Sequence, residues 1–146
     1  SILEKHGHDP LPVYREPLES PVSRPELVHS YPLVLTTGAR TIYFTHSQHR
    51  NLDGLRRMMP EAILEIHPID AKSRNIQSGD IVFVSSPRGR VKVQASVTDT
   101  ILAGVVHLPH HWPGEANANI LCDDMHLDPI SGFPAFKSQL CQVAKS

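Results

Sequence analysis

A chain of 146 residues with 14 Lys+Arg against 15 Asp+Glu carries a formal net charge of -1. That balance excludes a general nucleic-acid binder, because such proteins carry a clear cationic excess. The 13 prolines and 5% aromatic residues disfavour a helical bundle and favour a turn-rich β fold.

At this length the chain fits one domain, which buries roughly 70% of the surface its unfolded form exposes. Cys122 and Cys141 are too few for a disulfide scaffold and lack the paired spacing of a zinc or iron-sulfur site, so both read as reduced bystanders. No run approaches the roughly 18 consecutive apolar residues of a membrane span, and Ser1-Ile2-Leu3-Glu4-Lys5 is not a secretory signal. The start at Ser1 rather than Met reads as a piece excised or processed from a longer protein.

Residues 1–30 carry Pro10, Pro12, Pro17, Pro21 and Pro25 among charged residues without sustained periodicity. Proline at this density removes backbone donors, so the segment reads as an extended arm, with Leu11, Val13, Leu18, Val22 and Leu27 as its expected apolar anchors. From Tyr31 the pattern changes, and Pro32-Leu33-Val34-Leu35-Thr36 is a short apolar run ending near Gly38, as a buried strand entering a tight turn would. Apolar residues at 52, 55, 58 and 59 predict a short helix stopped by Pro60. Ala62-Ile63-Leu64-Glu65-Ile66 reads as a strand, and Asp70 is placed to cap a helical turn running through Asn75.

Ser78-Gly79-Asp80 turns the chain into a strand at Ile81-Val82-Phe83-Val84-Ser85, and Pro87-Arg88-Gly89-Arg90 is a hairpin signal. Residues 91–97 alternate between apolar and polar or small side chains, the signature of a half-buried strand. Residues 103–108 and 139–143 supply two more strands. Six or so short strands with little helix imply a closed β-barrel, since closure removes the unpaired edges of a small sheet.

The chemistry-bearing residues fall between these elements. Thr36, Thr37 and Gly38 at a strand end let backbone amides and hydroxyls approach a phosphate or a pterin. Thr45 to Asn51 then places His46, Ser47, Gln48, His49 and Arg50 between a strand and a helix, where donors converge on anionic oxygens. His107, His110 and His111 lack a supporting carboxylate or cysteine at metal-ligand spacing and read as neutral donors to a ligand. Asp128-Pro129 most simply starts a turn. Asn119 can read the edge of a base or pterin, and the Lys137 ammonium can neutralise a phosphate. No residue reads as an activated nucleophile, so no catalytic residue is expected in this chain.

In this order the segments Pro32-Leu33-Val34-Leu35-Thr36-Thr37-Gly38, His46, Leu64-Glu65-Ile66-His67-Pro68-Ile69-Asp70-Ala71, Gly79-Asp80, Ser85-Ser86-Pro87-Arg88-Gly89, Gly104-Val105-Val106, His111-Trp112, Asn119, Asp128-Pro129 and Phe136-Lys137 form a signature. It resembles the C-terminal dinucleotide-binding domain of molybdopterin oxidoreductases, the group of formate dehydrogenases, nitrate reductases, and thiosulfate and polysulfide reductases. The resemblance implies a mainly β, six-stranded double-psi β-barrel over residues 31–146, preceded by the proline-rich arm of residues 1–30. It also implies that the barrel caps a bis-pterin cofactor, molybdopterin guanine dinucleotide, whose molybdenum or tungsten belongs to the full enzyme.

Carried onto this sequence, the family's contacts fall on Thr36, Thr37, Gly38, Arg40, His46, Ser47, Gln48, Asn119 and Lys137, with His111 near the active site. The metal ligand of the family comes from another domain, and an iron-sulfur cluster is implied only for the parent chain. The remaining domains of a catalytic subunit and electron-transfer subunits are the implied partners, with this chain silent on its own. The alternative expectation is a free-standing small subunit that docks on a separate catalytic partner through its arm. A self-processing decarboxylase on the same barrel is disfavoured, because it needs a cleavable Gly-Ser pair that the sequence lacks.

Overall fold

Period-2 alternation sets the architecture. In the computed structural model, which describes residues 1–38 and 41–146, six strands close into one barrel: β1 (Leu33–Thr36), β2 (Ile63–Ile66), β3 (Ile81–Ser85), β4 (Arg90–Val97), β5 (Val105–His107) and β6 (Gln139–Lys145), in the order β1-β5-β2-β4-β3-β6. Along β4 the side chains of Val91, Val93 and Ala95 are buried while Arg90 and Lys92 are exposed, so one face of the strand lines the core. The core itself is Leu33, Leu35, Leu64, Ile66, Val82, Val84, Val106, Leu108, Leu140 and Val143, each at most 2% exposed. Burying each such aliphatic side chain contributes about 1.5–3 kcal/mol.

Two strand pairs are parallel, β1 with β5 and β2 with β4, and the other four are antiparallel. This interlocking of two parallel pairs within one closed barrel is the double-psi arrangement. It also decides which loops meet. Because β1 and β5 run the same way, with Thr36 opposite His107, the segments leaving both strands emerge at one end of the barrel. β6 runs against β1, with Gln139 opposite Leu35, so the segment entering β6 arrives at that same end. β2 runs against β5, with Glu65 opposite His107, and brings the connection that precedes it there as well.

That connection holds the helix α3 (Asp53–Met58), between the polar stretch and Pro60. After β2 comes α4 (Pro68–Ser73). Asp70 is not its cap. His67 takes that position, its ring Nδ1 accepting from the Ile69 amide at 3.2 Å, because Pro68 has the fixed φ that suits the first helical residue. The Asp70 carboxylate instead accepts from the Gly104 amide at 2.7 Å, tying α4 to the turn before β5. β5 is shorter than residues 103–108 because Gly104 takes a φ of +83° in a turn closed from Val105 N–H to Leu102 C=O at 3.1 Å.

The proline-rich segment contains two four-residue helices, α1 (Ile2–Lys5) and α2 (Pro25–Val28), with irregular backbone between them. Four of its five expected apolar anchors do not hold it, since Leu11, Val13, Leu18 and Val22 are 58–75% exposed and only Leu27 is half-buried. The anchor is polar. Glu19, 6% exposed, receives a bidentate pair from Arg88 at 2.6 and 2.9 Å and accepts the Leu140 amide at 2.6 Å. Arg88 also donates from Nε to the Leu121 carbonyl at 2.9 Å, which the Ser86 hydroxyl reaches at 3.0 Å. A planar guanidinium meets a carboxylate along two parallel bonds, so one glutamate fixes the segment to the β3–β4 turn and to the start of β6.

Among the described residues no helix is long and apolar enough to cross a membrane. Cys122 and Cys141 are free and buried, and burial pushes the Cys141 thiol up to about 12, which keeps it protonated and unreactive.

Candidate functional site

The end of the barrel where β1 and β5 finish and β6 begins collects most of the residues singled out in the sequence. Past β1 the ladder continues: Leu108 N–H donates to Thr36 C=O at 3.0 Å, and Thr37 donates to Phe136 C=O from both its amide (2.7 Å) and its hydroxyl (3.2 Å). Thr37 is fully buried. Its side chain is therefore spent on holding the segment before β6, and its backbone carries the position of Gly38.

Gly38 is a cradle. A Cβ placed there would stand 2.8 Å from Cε of Lys137, so the lysine stem lies directly over the glycine and only a residue without a side chain allows that approach. Lys137 is itself exposed. Thr36 is half-buried beside it at the strand end.

The polar stretch folds as successive turns, with bonds from Gln48 N–H to Thr45 C=O at 2.9 Å and from Leu52 N–H to His49 C=O at 3.0 Å. His46 and His49 hold φ of +52° and +67°, conformations that cost a non-glycine residue energy and collect where function constrains the backbone. His46 is half-buried, whereas Ser47 and Gln48 are exposed. Arg50 turns inward: it donates to the His111 carbonyl and its guanidinium carbon lies 5.5 Å from the Trp112 ring centroid.

His110 joins these segments. Its Nδ1 is 2.6 Å from the Thr37 carbonyl, its Nε2 is 2.8 Å from His46 Nδ1, and its ring stacks on Phe136 with centroids 5.4 Å apart. Next to it His111 is 5% exposed, edge-on to Phe44 at 5.1 Å, and neither of its ring nitrogens has a hydrogen-bond partner among the described residues. Burial lowers its pKa to about 4, reinforced by the positive charge of Arg50 and by the neighbouring rings of His110, His46 and His107. His111 is neutral at physiological pH. Trp112 Nε1 is likewise buried and unpartnered among the described residues.

Thr36, Thr37, Gly38, His46, His111 and Lys137 are thus brought together, with Ser47 and Gln48 on the adjoining exposed turn. Arg40 lies outside the described residues. Asn119 is exposed on the 3-10 segment Ala118–Leu121 packed against β4, with its backbone amide held by Asn117 Oδ1 at 3.1 Å. The sequence marks His110 as a donor and Arg50 as one of a converging set, but not His110 as the hub between Thr37 and His46 or Arg50 as the tie to His111. Asp128 starts a turn as expected, its Oδ1 accepting from the Ile130 and Ser131 amides at 3.1 and 2.7 Å.

Comparison with known proteins shows the family of the chain. The family model of the molydopterin dinucleotide binding domain matches residues 33–140. The chain belongs to that family. The domain is 33% identical, over 99% of its length, to the acetylene hydratase of Syntrophotalea acetylenica. It is 36% identical over 87% of its length to the assimilatory nitrate reductase catalytic subunit of Bacillus subtilis, and 38% identical over 89% to the F420-dependent formate dehydrogenase subunit alpha of Methanocaldococcus jannaschii. The solved structure of acetylene hydratase from Pelobacter acetylenicus superposes with a TM-score of 0.86 at 30% identity, over the whole of this chain and 23% of that one. The chain spans 22%, 18% and 18% of the lengths of the three curated relatives, so it corresponds to a small part of much larger oxidoreductase-type chains.

The residues present fit a molybdopterin dinucleotide. A glycine cradle with the exposed Lys137 ammonium across it, the neutral ring of His111, and exposed hydroxyl and amide side chains on a turn together suit a large polar anion with ring systems.

Proposed function

We propose that this chain is the cofactor-holding domain of a longer molybdenum or tungsten bis-pterin oxidoreductase, binding the guanine dinucleotide part of the cofactor and performing no catalysis alone. When bound, the pterin-held metal supplies the redox chemistry, and the protein contributes position and electrostatics. Thr36, Thr37 and Gly38 offer the backbone approach to one dinucleotide, with Arg40 in the sequence immediately beyond. His46, Ser47 and Gln48 form the adjoining donor wall. Lys137 neutralises phosphate charge, Asn119 reads a ring edge, and His111 backs the wall as a neutral ring. The remaining domains of the catalytic subunit and electron-transfer subunits are the partners this reading requires, with any iron-sulfur centre in the rest of that subunit.

The observation that carries the reading is the meeting of Gly38, Lys137 and the His46 turn at one barrel end, within the matched family segment. The test is Lys137→Ala in the full-length protein. Loss of one charge-assisted phosphate contact lowers retained pterin about tenfold, while the melting temperature stays unchanged because Lys137 is exposed. Equal pterin content in the two proteins overturns the assignment of Lys137.

A further inference from the structure

The Thr37 carbonyl can only accept a hydrogen bond, so the His110 Nδ1 that lies 2.6 Å away carries the hydrogen. His110 Nε2 is then a lone pair in the neutral ring, and the contact of 2.8 Å requires His46 Nδ1–H to donate to it. Two segments far apart in the sequence are therefore registered against one another through a single imidazole, while Phe136 stacks on its face and holds the third segment. Nothing else described bridges the 36–38 segment to the 45–50 turns.

The geometry points to His110 as the positioning residue of the dinucleotide wall: one imidazole, held at the Thr37 carbonyl, sets the Thr37–Gly38 backbone and the His46 ring in register. This inference rests on the cofactor-binding reading and deepens it.

The experiment uses the full-length holoenzyme and follows release of pterin, read by fluorescence after oxidation. His110→Phe keeps the ring on Phe136 and removes both hydrogen bonds; release is expected to accelerate about tenfold. His110→Asn places an amide N–H near the former Nδ1 and is expected to recover most of that loss. Equal release from His110→Phe and the parent overturns the inference. So does a defect in His110→Asn larger than that in His110→Phe, which marks a space-filling ring. A parent protein that carries no pterin overturns the binding reading underneath, a result separate from either of these. Should His110→Phe fail to fold, His110→Leu takes its place in the same comparison.

Discussion

Two regions of this barrel bury polar groups and treat them in opposite ways. Around Glu19 and Arg88 the ion pair is closed, although the neighbouring Gln139 amide is buried without a partner among the described residues: both carboxylate oxygens are taken, the guanidinium has three bonds, and the Leu121 carbonyl and Leu140 amide are paired. Around His111 and Trp112 the inventory is open, with three ring nitrogens buried and unpartnered among the described residues. A satisfied buried network is what a fold uses to fix itself, whereas unsatisfied buried polar groups cost about 1–3 kcal/mol each and persist where something other than stability selects them. The contrast separates the part of the chain that makes the barrel from the part that makes the site.

Breaking the closed region has the largest effect. Glu19→Ala leaves the Arg88 guanidinium buried without its counter-charge and is expected to cost about 3–5 kcal/mol in urea unfolding. Adding Arg88→Met should give back part of that loss; a strictly additive double substitution would show that the pair is not coupled. A pair of glycines sharpens the comparison further. Gly89 lies in the closed region, and a Cβ there would stand 2.5 Å from Ile120 Cγ2 and 2.9 Å from the Ile120 carbonyl oxygen. Backbone cannot step aside, so Gly89→Ala is expected to destabilise by about 1–3 kcal/mol.

Next in size is an acid-side effect in the open region. His111 has its pKa lowered to about 4 in the fold, below the ordinary value of about 6.5. As pH falls through that window the unfolded chain takes the proton first, so stability is lost between about pH 6.5 and pH 4, by about 3 kcal/mol at most. His111→Phe keeps a ring between Phe44 and Trp112 and should flatten this part of the stability profile. An unchanged acid slope would mean that another group carries it. The smallest effect on stability is that of Gly38→Ala. There the obstacle is the flexible end of Lys137, so unfolding should shift by less than about 1 kcal/mol while pterin retention in the full-length protein falls.

How much of this was readable in the sequence follows the same division. The strands were legible because alternation such as Val91, Val93 and Ala95 against Arg90 and Lys92 is a local property, and barrel closure follows from having several short strands and little helix. The helix before Pro60 was legible for the same reason. The cap of α4 was misread because Asp70 has the favoured side chain for a cap, yet Pro68 at the first helical position and the distant Gly104 amide decide the matter. Glu19 was missed because a lone glutamate among prolines and charges looks solvated, and its partners come from 69 and 121 residues away. His110 was legible as a donor but not as a bridge, since its contacts depend on the parallel pairing of β1 with β5.

The bond from Leu140 to Glu19 has a consequence for where the chain can be cut. Leu140 is the second residue of β6, the strand that closes the barrel between β1 and β3, and its amide is held by a residue near the beginning of the sequence. A shortened version starting at residue 31, where the regular strands begin, would keep every element of the barrel and still lose the acceptor for that amide and the counter-charge of Arg88. The barrel's own polar groups therefore depend on a residue that lies before its first strand.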